Sequence, residues 1–494
     1  MFLGIDLGTS EIKLLLLDDS HRVLATQSET LSLQRPAPLW SEQHPADWWQ
    51  ALDSAMLRLR EAAPGALAAV RAVGLSGQMH GAVVLDAQGT VLRPAILWND
   101  GRSAAQCVQL ERALPTLHTL SGNLAMPGFT APKILWLREH EPAVFERIAK
   151  VLLPKDWLRL KLSGASAGQA IGEAVSEMSD ASGTLWLDVA NRRWSRELLA
   201  ACGLSTAQMP RLVEGSELSA HLSGELASRW GLREGLPIAG GGGDNAASAV
   251  GIGAVRPNQG FVSLGTSGVI FLARDRHRPN PQAALHAFCH ALPQRWHQMS
   301  VMLSAASALR WARLLIGLPS EAALLDRVAT LCPKLQARAP LFLPYLSGER
   351  SPHNNAAAQG VLFGLTHEHD AAAVGYAVLE GVGFGLRDGH ASLGLAADEV
   401  SELSLVGGGA RSAYWAQLLA STLGVPLVTH DGGEAGAALG AARLAWLCEG
   451  GNESEVCVVP ATAARFEPDA AQAALLAPRY ERFRALYPAL RAAF

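Results

Sequence analysis

Phe2-Leu3-Gly4-Ile5-Asp6-Leu7-Gly8-Thr9-Ser10, running on to the apolar residues 12–17, has a counterpart at Phe261-Val262-Ser263-Leu264-Gly265-Thr266-Ser267-Gly268, running on to 269–272. Each is an apolar run, a glycine turn and a second apolar run, the pattern of a β-hairpin. Both contain Leu-Gly-Thr-Ser, at Leu7–Ser10 and Leu264–Ser267, 257 residues apart. A repeat of that period is a whole domain rather than a solenoid unit, so the chain reads as an internal duplication.

Working outward, residues 22–29 read as a third strand and 45–63 as a helix stopped by Pro64-Gly65. Residues 72–76 read as a strand leading into Gly77-Gln78-Met79-His80-Gly81. In the second half, 403–406 reads as a strand, followed by Gly407-Gly408-Gly409-Ala410-Arg411-Ser412 and a helix from about Tyr414. Residues 434–447 and 470–492 read as further helices. At 494 residues the chain exceeds what one core usually serves. The expected division is 1–254 and 255–494, with the boundary in the glycine-rich stretch Gly253 to Asn258.

Composition narrows the function classes. The chain is 49% hydrophobic and 17% charged, with a net charge of −4 and no basic tract, which argues against nucleic acid as a partner. Six scattered cysteines show neither metal-type spacing nor a C-x-x-C pair, as expected of a reduced cytoplasmic protein. No signal peptide or membrane span is expected. G-x-x-x-x-G-K-[ST], H-E-x-x-H and G-x-S-x-G are all absent.

Phosphate requires converging N–H donors, and glycine lets a backbone turn and approach closely enough to supply them. Gly8, Thr9 and Ser10 in one hairpin, and Gly265, Thr266 and Ser267 in the other, could hold an ATP triphosphate from two sides. Asp6 could hold Mg2+ through water, and Lys13 could bring charge to the phosphates. The run Gly240-Gly241-Gly242-Gly243 before Asp244 suggests backbone approaching a ligand. Asp244 is the candidate general base for a hydroxyl nucleophile, and Asn245 could bind sugar hydroxyls. His80, Trp98, Asn99 and Asp100 combine apolar faces with polar tips, as suits a sugar. Trp40, Trp48 and Trp49 read as core or interface.

Together these features resemble the FGGY family of carbohydrate kinases. Gly128–His140 is similar to the family's first signature, and Gly360–Leu365 onward to Ala377–Glu380 to the second. The second departs at Ala373, where a polar residue is usual, a change expected at the surface. Leu39–Gln43, Gly77–Gly81, Ile96–Asp100, Pro344–Arg350 and Pro352–Asn355 most resemble the members that phosphorylate D-xylulose. The resemblance implies an α/β fold of two actin-like ATPase (ribonuclease H-like) domains, with the site in the cleft between them. It implies Asp244 as base, Met79 and His80 at the ketose, and Mg2+ beside Asp6 and Asp244. It also implies Gly265, Thr266 and Ser267 at the phosphates, Gly408, Gly409 and Ala410 at the adenosine, and closure on sugar binding. The implied partners are D-xylulose and ATP, without nucleic acid or membrane; a homodimer is compatible.

Two departures stand out. Glu11 occupies a position where relatives commonly have glycine, and a carboxylate beside a triphosphate is unfavourable unless it points away or meets a cation. Residues 165–172 look like an insertion, read as a surface loop, ahead of Glu177 where aspartate is usual. Alternatives are a kinase for another ketose or polyol, such as ribulose or glycerol, or an actin- or chaperone-like ATPase.

Overall fold

The computed structural model describes residues 1–164, 172–396, 399–432 and 436–494. Residues 165–171 of the suspected 165–172 insertion and the expected helix start at Glu434 lie outside them.

The first lobe is built on β1 (Phe2–Leu7), β2 (Glu11–Leu17), β3 (Val23–Thr30), α1 (Pro45–Ala62), β4 (Ala72–Gly77), α2 (Pro154–Leu162), β5 (Leu218–His221), β6 (Pro237–Ala239) and α3 (Asp244–Gly251). Its sheet runs β5-β6-β4-β1-β2-β3, with the two-residue strand Gly242–Gly243 also paired to β4. The second lobe contains β7 (Gly260–Leu264), β8 (Gly268–Arg274), β9 (His286–Cys289), β10 (Trp296–Met302), α4 (Ala306–Ile316), α5 (Ala371–Ser392), β11 (Leu403–Val406), α6 (Ala413–Leu423), β12 (Leu427–His430), α7 (Gly436–Cys448), β13 (Thr462–Phe466) and α8 (Ala470–Leu490). Its sheet runs β9-β10-β8-β7-β11-β12-β13. The centres of the two sheets match. In each, an antiparallel hairpin (β1–β2, β7–β8) adds an antiparallel strand on one side (β3, β10) and a parallel one on the other (β4, β11).

Strand alternation explains the layers. Leu3, Ile5 and Leu7 join Ile12, Leu14 and Leu16 in a core with Trp48, Leu52, Met56 and Leu59 of α1. That helix starts well: His44 caps it, Pro45 sits in its first turn with Asp47, and Arg60 lies in its last. The opposite face packs Phe2, Leu15 and Leu17 against Ala438, Leu439, Ala442 and Ala445 of α7. So α7, late in the chain, covers the sheet that starts it. The approach is backbone to backbone. A Cβ on Gly4 would lie 2.0 Å from the Ala438 carbonyl oxygen, and one on Gly74 1.9 Å from that of Ala441. Asp6 follows Phe2 and Gly4 on this face, and Lys13 is its cross-strand partner.

The lobes meet along a shared core that includes Phe129 and Trp186 of the first and Phe261, Phe271 and Phe288 of the second. Edge strand β9 is held by side chains of the first lobe. Asn123 bonds both the N–H and the carbonyl of Ala287, each at 3.1 Å, and Ser182 Oγ accepts from the Cys289 N–H at 3.0 Å. Ala373 corrects a sequence expectation: it is buried in the first turn of α5, where its N–H is capped by Asp370. Among the described residues no helix is long and apolar enough to cross a membrane.

Candidate active site

The first glycine turn is fixed by a chain of amides and two indoles. Gln43 Nε2 donates to the Thr9 carbonyl at 2.7 Å, while Gln43 Oε1 accepts from Gln78 Nε2 and Trp48 Nε1, each at 3.0 Å. Trp98 Nε1 donates to Thr9 Oγ1 at 2.9 Å, and Thr9 Oγ1 donates to Gln78 Oε1 at 3.1 Å. The Thr9 hydroxyl is therefore committed to the scaffold, and the donors this turn can offer a phosphate are chiefly backbone N–H groups. Gly8 N–H closes the turn onto the Glu11 carbonyl at 2.9 Å. Glu11 does not point away: as the residue two before Lys13 on β2 it shares the face of Asp6, and its charge pushes the Asp6 pKa up.

Asp6 and Asp244 form the acidic pair. Burial, and then the nearby Asp244 charge, raise Asp6 to about 6 against the opposing effects of Ser76 and Lys13. Asp6 Oδ1 is buried without a hydrogen-bond partner. Asp244 opens α3; burial raises its pKa, opposed by the Asn245 N–H donating to Asp244 Oδ1 at 2.7 Å. The preceding Gly243 N–H donates to Ser179 Oγ at 3.0 Å and Glu177 Oε1 at 3.2 Å. Glu177 also caps the short helix Met178–Ser182, so it sets the position of Asp244 through the backbone. Behind it lies fully buried Lys155, whose Nζ is 2.5 Å from Asp156 Oδ1 and 3.6 Å from Asp180 Oδ2.

The glycine run before Asp244 serves a purpose other than ligand approach. A Cβ on Gly240 would lie 2.4 Å from the Glu214 carbonyl oxygen, on Gly241 2.3 Å from that of Leu75, and on Gly243 2.8 Å from Met79 Sδ. The run lets the chain lie against its own strands.

Between the lobes lies a cavity of about 160 Å3. Met79, His80, Trp98, Asp244 and Asn245 line it from the first lobe, as the sequence suggested for a sugar. Asn99 is exposed, and Asp100 is buried as the acceptor for the Ser41 N–H and for Arg102. His80 is neutral, since burial lowers its pKa to about 3. Its Nδ1 lies 2.7 Å from the Gly183 carbonyl, so Nδ1 carries the proton and Nε2 is an acceptor. Phe129 crosses its ring edge-on at 4.9 Å.

The second lobe contributes Ser267, Val269, His286, Met299, Val301 and Arg350 to the cavity. Neighbouring Thr266 faces a separate, larger recess of about 750 Å3 with Ser307, Arg310, Asp326, Gly408, Gly409 and Tyr414. The second turn thus stands between a small cavity and a nucleotide-sized recess. It is tied to the start of α4, where the Ala306 N–H donates to the Gly265 carbonyl at 2.8 Å and Ser307 Oγ to that of Thr266 at 2.7 Å. Gly407, at φ +91°, starts the Gly408–Arg411 turn beneath the recess. Ala410 packs against the core of this lobe instead of lining the recess. Sequence reading assigned no role to Gln43, Gln78, Phe129, His286, Ser307 or Arg350. Only the motifs containing Gln43, Gln78, Phe129 and Arg350 signalled them.

Two lobes of like topology, each with a glycine hairpin and with a cavity between them, define the actin-like ATPase fold. Residues 1–251 match the N-terminal domain and 260–447 the C-terminal domain of the FGGY family of carbohydrate kinases. The chain belongs to that family. It is 51% identical over 492 residues to a xylulose kinase of Escherichia coli (strain K12), and 49% identical over 495 residues to one of Klebsiella pneumoniae, with 99% of each chain covered. A crystal structure described as a xyloylose kinase from Brucella ovis superposes with a TM-score of 0.94 at 48% identity, covering 100% of both chains. A xylulose kinase structure from Rhodospirillum rubrum gives 0.89 at 28% identity, covering 99% of both. The chain is a carbohydrate kinase that acts on a sugar and ATP.

Proposed function

We propose that this kinase transfers the γ-phosphoryl group of ATP to O5 of D-xylulose, giving D-xylulose 5-phosphate. One observation carries the reading: Asp244 of the first lobe and Ser267 of the second-lobe turn line the same small cavity. A base for the sugar hydroxyl and a phosphate turn therefore face one reacting point. The names and full-length identity of the relatives point to the same sugar.

In this mechanism the sugar lies against Met79, Trp98 and Asn245, with His80 Nε2 accepting a hydrogen bond from a sugar hydroxyl. Asp244 takes the proton from the attacking hydroxyl as the phosphoryl group transfers in line. Backbone N–H groups of Thr9 and Ser10 and of Thr266 and Ser267, in turns closed by the Gly8 and Gly265 N–H groups, hold the triphosphate with Lys13. The adenosine lies in the recess over Gly408 and Gly409; Ala410 supports that turn from the core side. Mg2+ fits the residues present. Among the described residues no cluster of three or more ligating side chains exists, but Mg2+ on ATP usually takes one or two carboxylates plus phosphates. Asp6, with its unpartnered buried oxygen, and Asp244 would hold it, where it would neutralise phosphate charge. Division of the chain after residue 254 belongs to the same reading, supported by first-sheet strands that end at Gly243 and second-sheet strands that begin at Gly260. A cytoplasmic location fits six free thiols and the need for ATP.

The test is ADP release across D-xylulose, D-ribulose, L-ribulose and glycerol. D-Xylulose should give the highest kcat/KM; a clear preference for glycerol would refute the assignment. Asp244→Ala should lower kcat by roughly 10² or more with ATP still bound.

A further inference from the structure

We propose that Arg350, oriented by His286, is the second lobe's specificity-determining contact, recognising the carbonyl oxygen of an open-chain ketose. The inference rests on the reading of the cavity as a ketose site.

Among the described residues, Arg350 brings the only cationic side chain to the cavity wall. Its Nη1 donates to His286 Nε2 at 3.1 Å, and its Nη2 lies 4.0 Å from the Cβ position of Gly128 in the first lobe. The guanidinium thus spans the cleft. Among the described residues no carboxylate is within ion-pair distance of it. Its neighbour Glu349 is held largely protonated, with burial raising its pKa to about 8, and turns towards the backbone N–H groups of Leu303 and Arg350. A cation partly buried in a small cavity lined mostly by apolar side chains, with donors to spare, calls for an acceptor from the ligand.

The loop carrying Arg350 is rigid enough to aim it. Glu349 and Asn355 exchange backbone hydrogen bonds at 2.9 and 2.8 Å. The Ser351 N–H donates to the Val301 carbonyl at 3.0 Å, and Ser351 Oγ to that of Ala284 at 2.8 Å. His353 stacks on Tyr487 of α8 at 3.6 Å between ring centroids.

Its placement selects one end of the sugar. Asp244 lines the cavity from the start of α3 in the first lobe, and Arg350 lines it from the second lobe beside His286, whose ring lies 6.5 Å from that of His80. With O5 at Asp244, the opposite, C1–C2 end of the ketose is assigned to Arg350 on the facing wall of the same cavity. A guanidinium only donates, and a carbonyl oxygen only accepts, through two lone pairs in its plane. A hydroxyl at C2 must also direct its own proton elsewhere. The site therefore favours a ketose over the polyol of equal length.

Binding of D-xylulose and of xylitol, measured by tryptophan fluorescence without ATP, tests this apart from catalysis. The wild-type protein should bind the ketose about ten- to a hundredfold more tightly than the polyol. Arg350→Met should bring the two affinities within about threefold by weakening the ketose alone; Arg350→Lys, which keeps charge but loses the fork, should fall between. His286→Gln should preserve part of the preference and His286→Phe little of it. Equal weakening of both ligands in Arg350→Met and Arg350→Lys, or a wild-type protein without preference, would overturn the inference. Binding of neither ligand by the wild-type protein would instead refute the ketose reading itself.

Discussion

Glu349 is 2% exposed, and one of its carboxylate oxygens accepts from two backbone N–H groups while the other has no partner. Burial raises its pKa from 4.5 to about 8. The folded protein therefore keeps a proton that the unfolded chain releases near 4.5. Stability falls with pH wherever the folded state binds more protons, so this residue's contribution is full below about 4.5 and is lost as pH rises through about 8. Glu349→Gln should flatten that part of the profile, so that melting temperatures at pH 5 and pH 8 lie closer together than in the wild type. An unchanged difference would place the carboxyl's titration elsewhere. Thr9 shows a different lesson at this scale. Its residue type promised a phosphate donor, but its hydroxyl is bound within the Gln43–Gln78–Trp98 network. A side chain's own chemistry is legible in sequence; the partners that claim it are not.

Among elements, α7 approaches β1 and β4 backbone to backbone. Gly74→Ala would set a methyl 1.9 Å from the Ala441 carbonyl oxygen, so helix and sheet would have to separate. A loss of roughly 1–3 kcal/mol or more in urea unfolding is expected. Gly65→Ala, in the short helix Pro64–Ala68 with open space around it, should be neutral or stabilising by at most about 1 kcal/mol. The hairpins, the strand at 72–77 and the helices near 45, 413 and 470 were readable because apolar period, proline and glycine act within a few residues. Where α7 would dock was not, since that depends on glycines more than 360 residues earlier. The Gly240–Gly243 run was read correctly as a close approach of backbone but not for its partner, which is the protein's own strands. His286 left no local sign at all; it reaches the cavity only because β9 is an edge strand turned towards the first lobe.

For the molecule as a whole, the seam at β9 decides how the lobes are held. Asn123 supplies the partners that an adjacent strand would give Ala287. Asn123→Ala should cost about 1–3 kcal/mol through the two unpaired backbone groups. It should also weaken sugar binding, because His286 and Arg350 depend on that seam; an Asn123→Ala protein with wild-type stability would show the seam to be dispensable. The duplication itself was legible from Leu-Gly-Thr-Ser and the strands around it, and the matching strand order bears it out. Its consequence reaches the gene. Because α7 belongs to the later half of the chain and roofs the earlier half's sheet, a product ending at residue 254 would expose Phe2, Leu15 and Leu17 to water. Made separately, the two halves should aggregate; made together, they should reassociate into a working split enzyme.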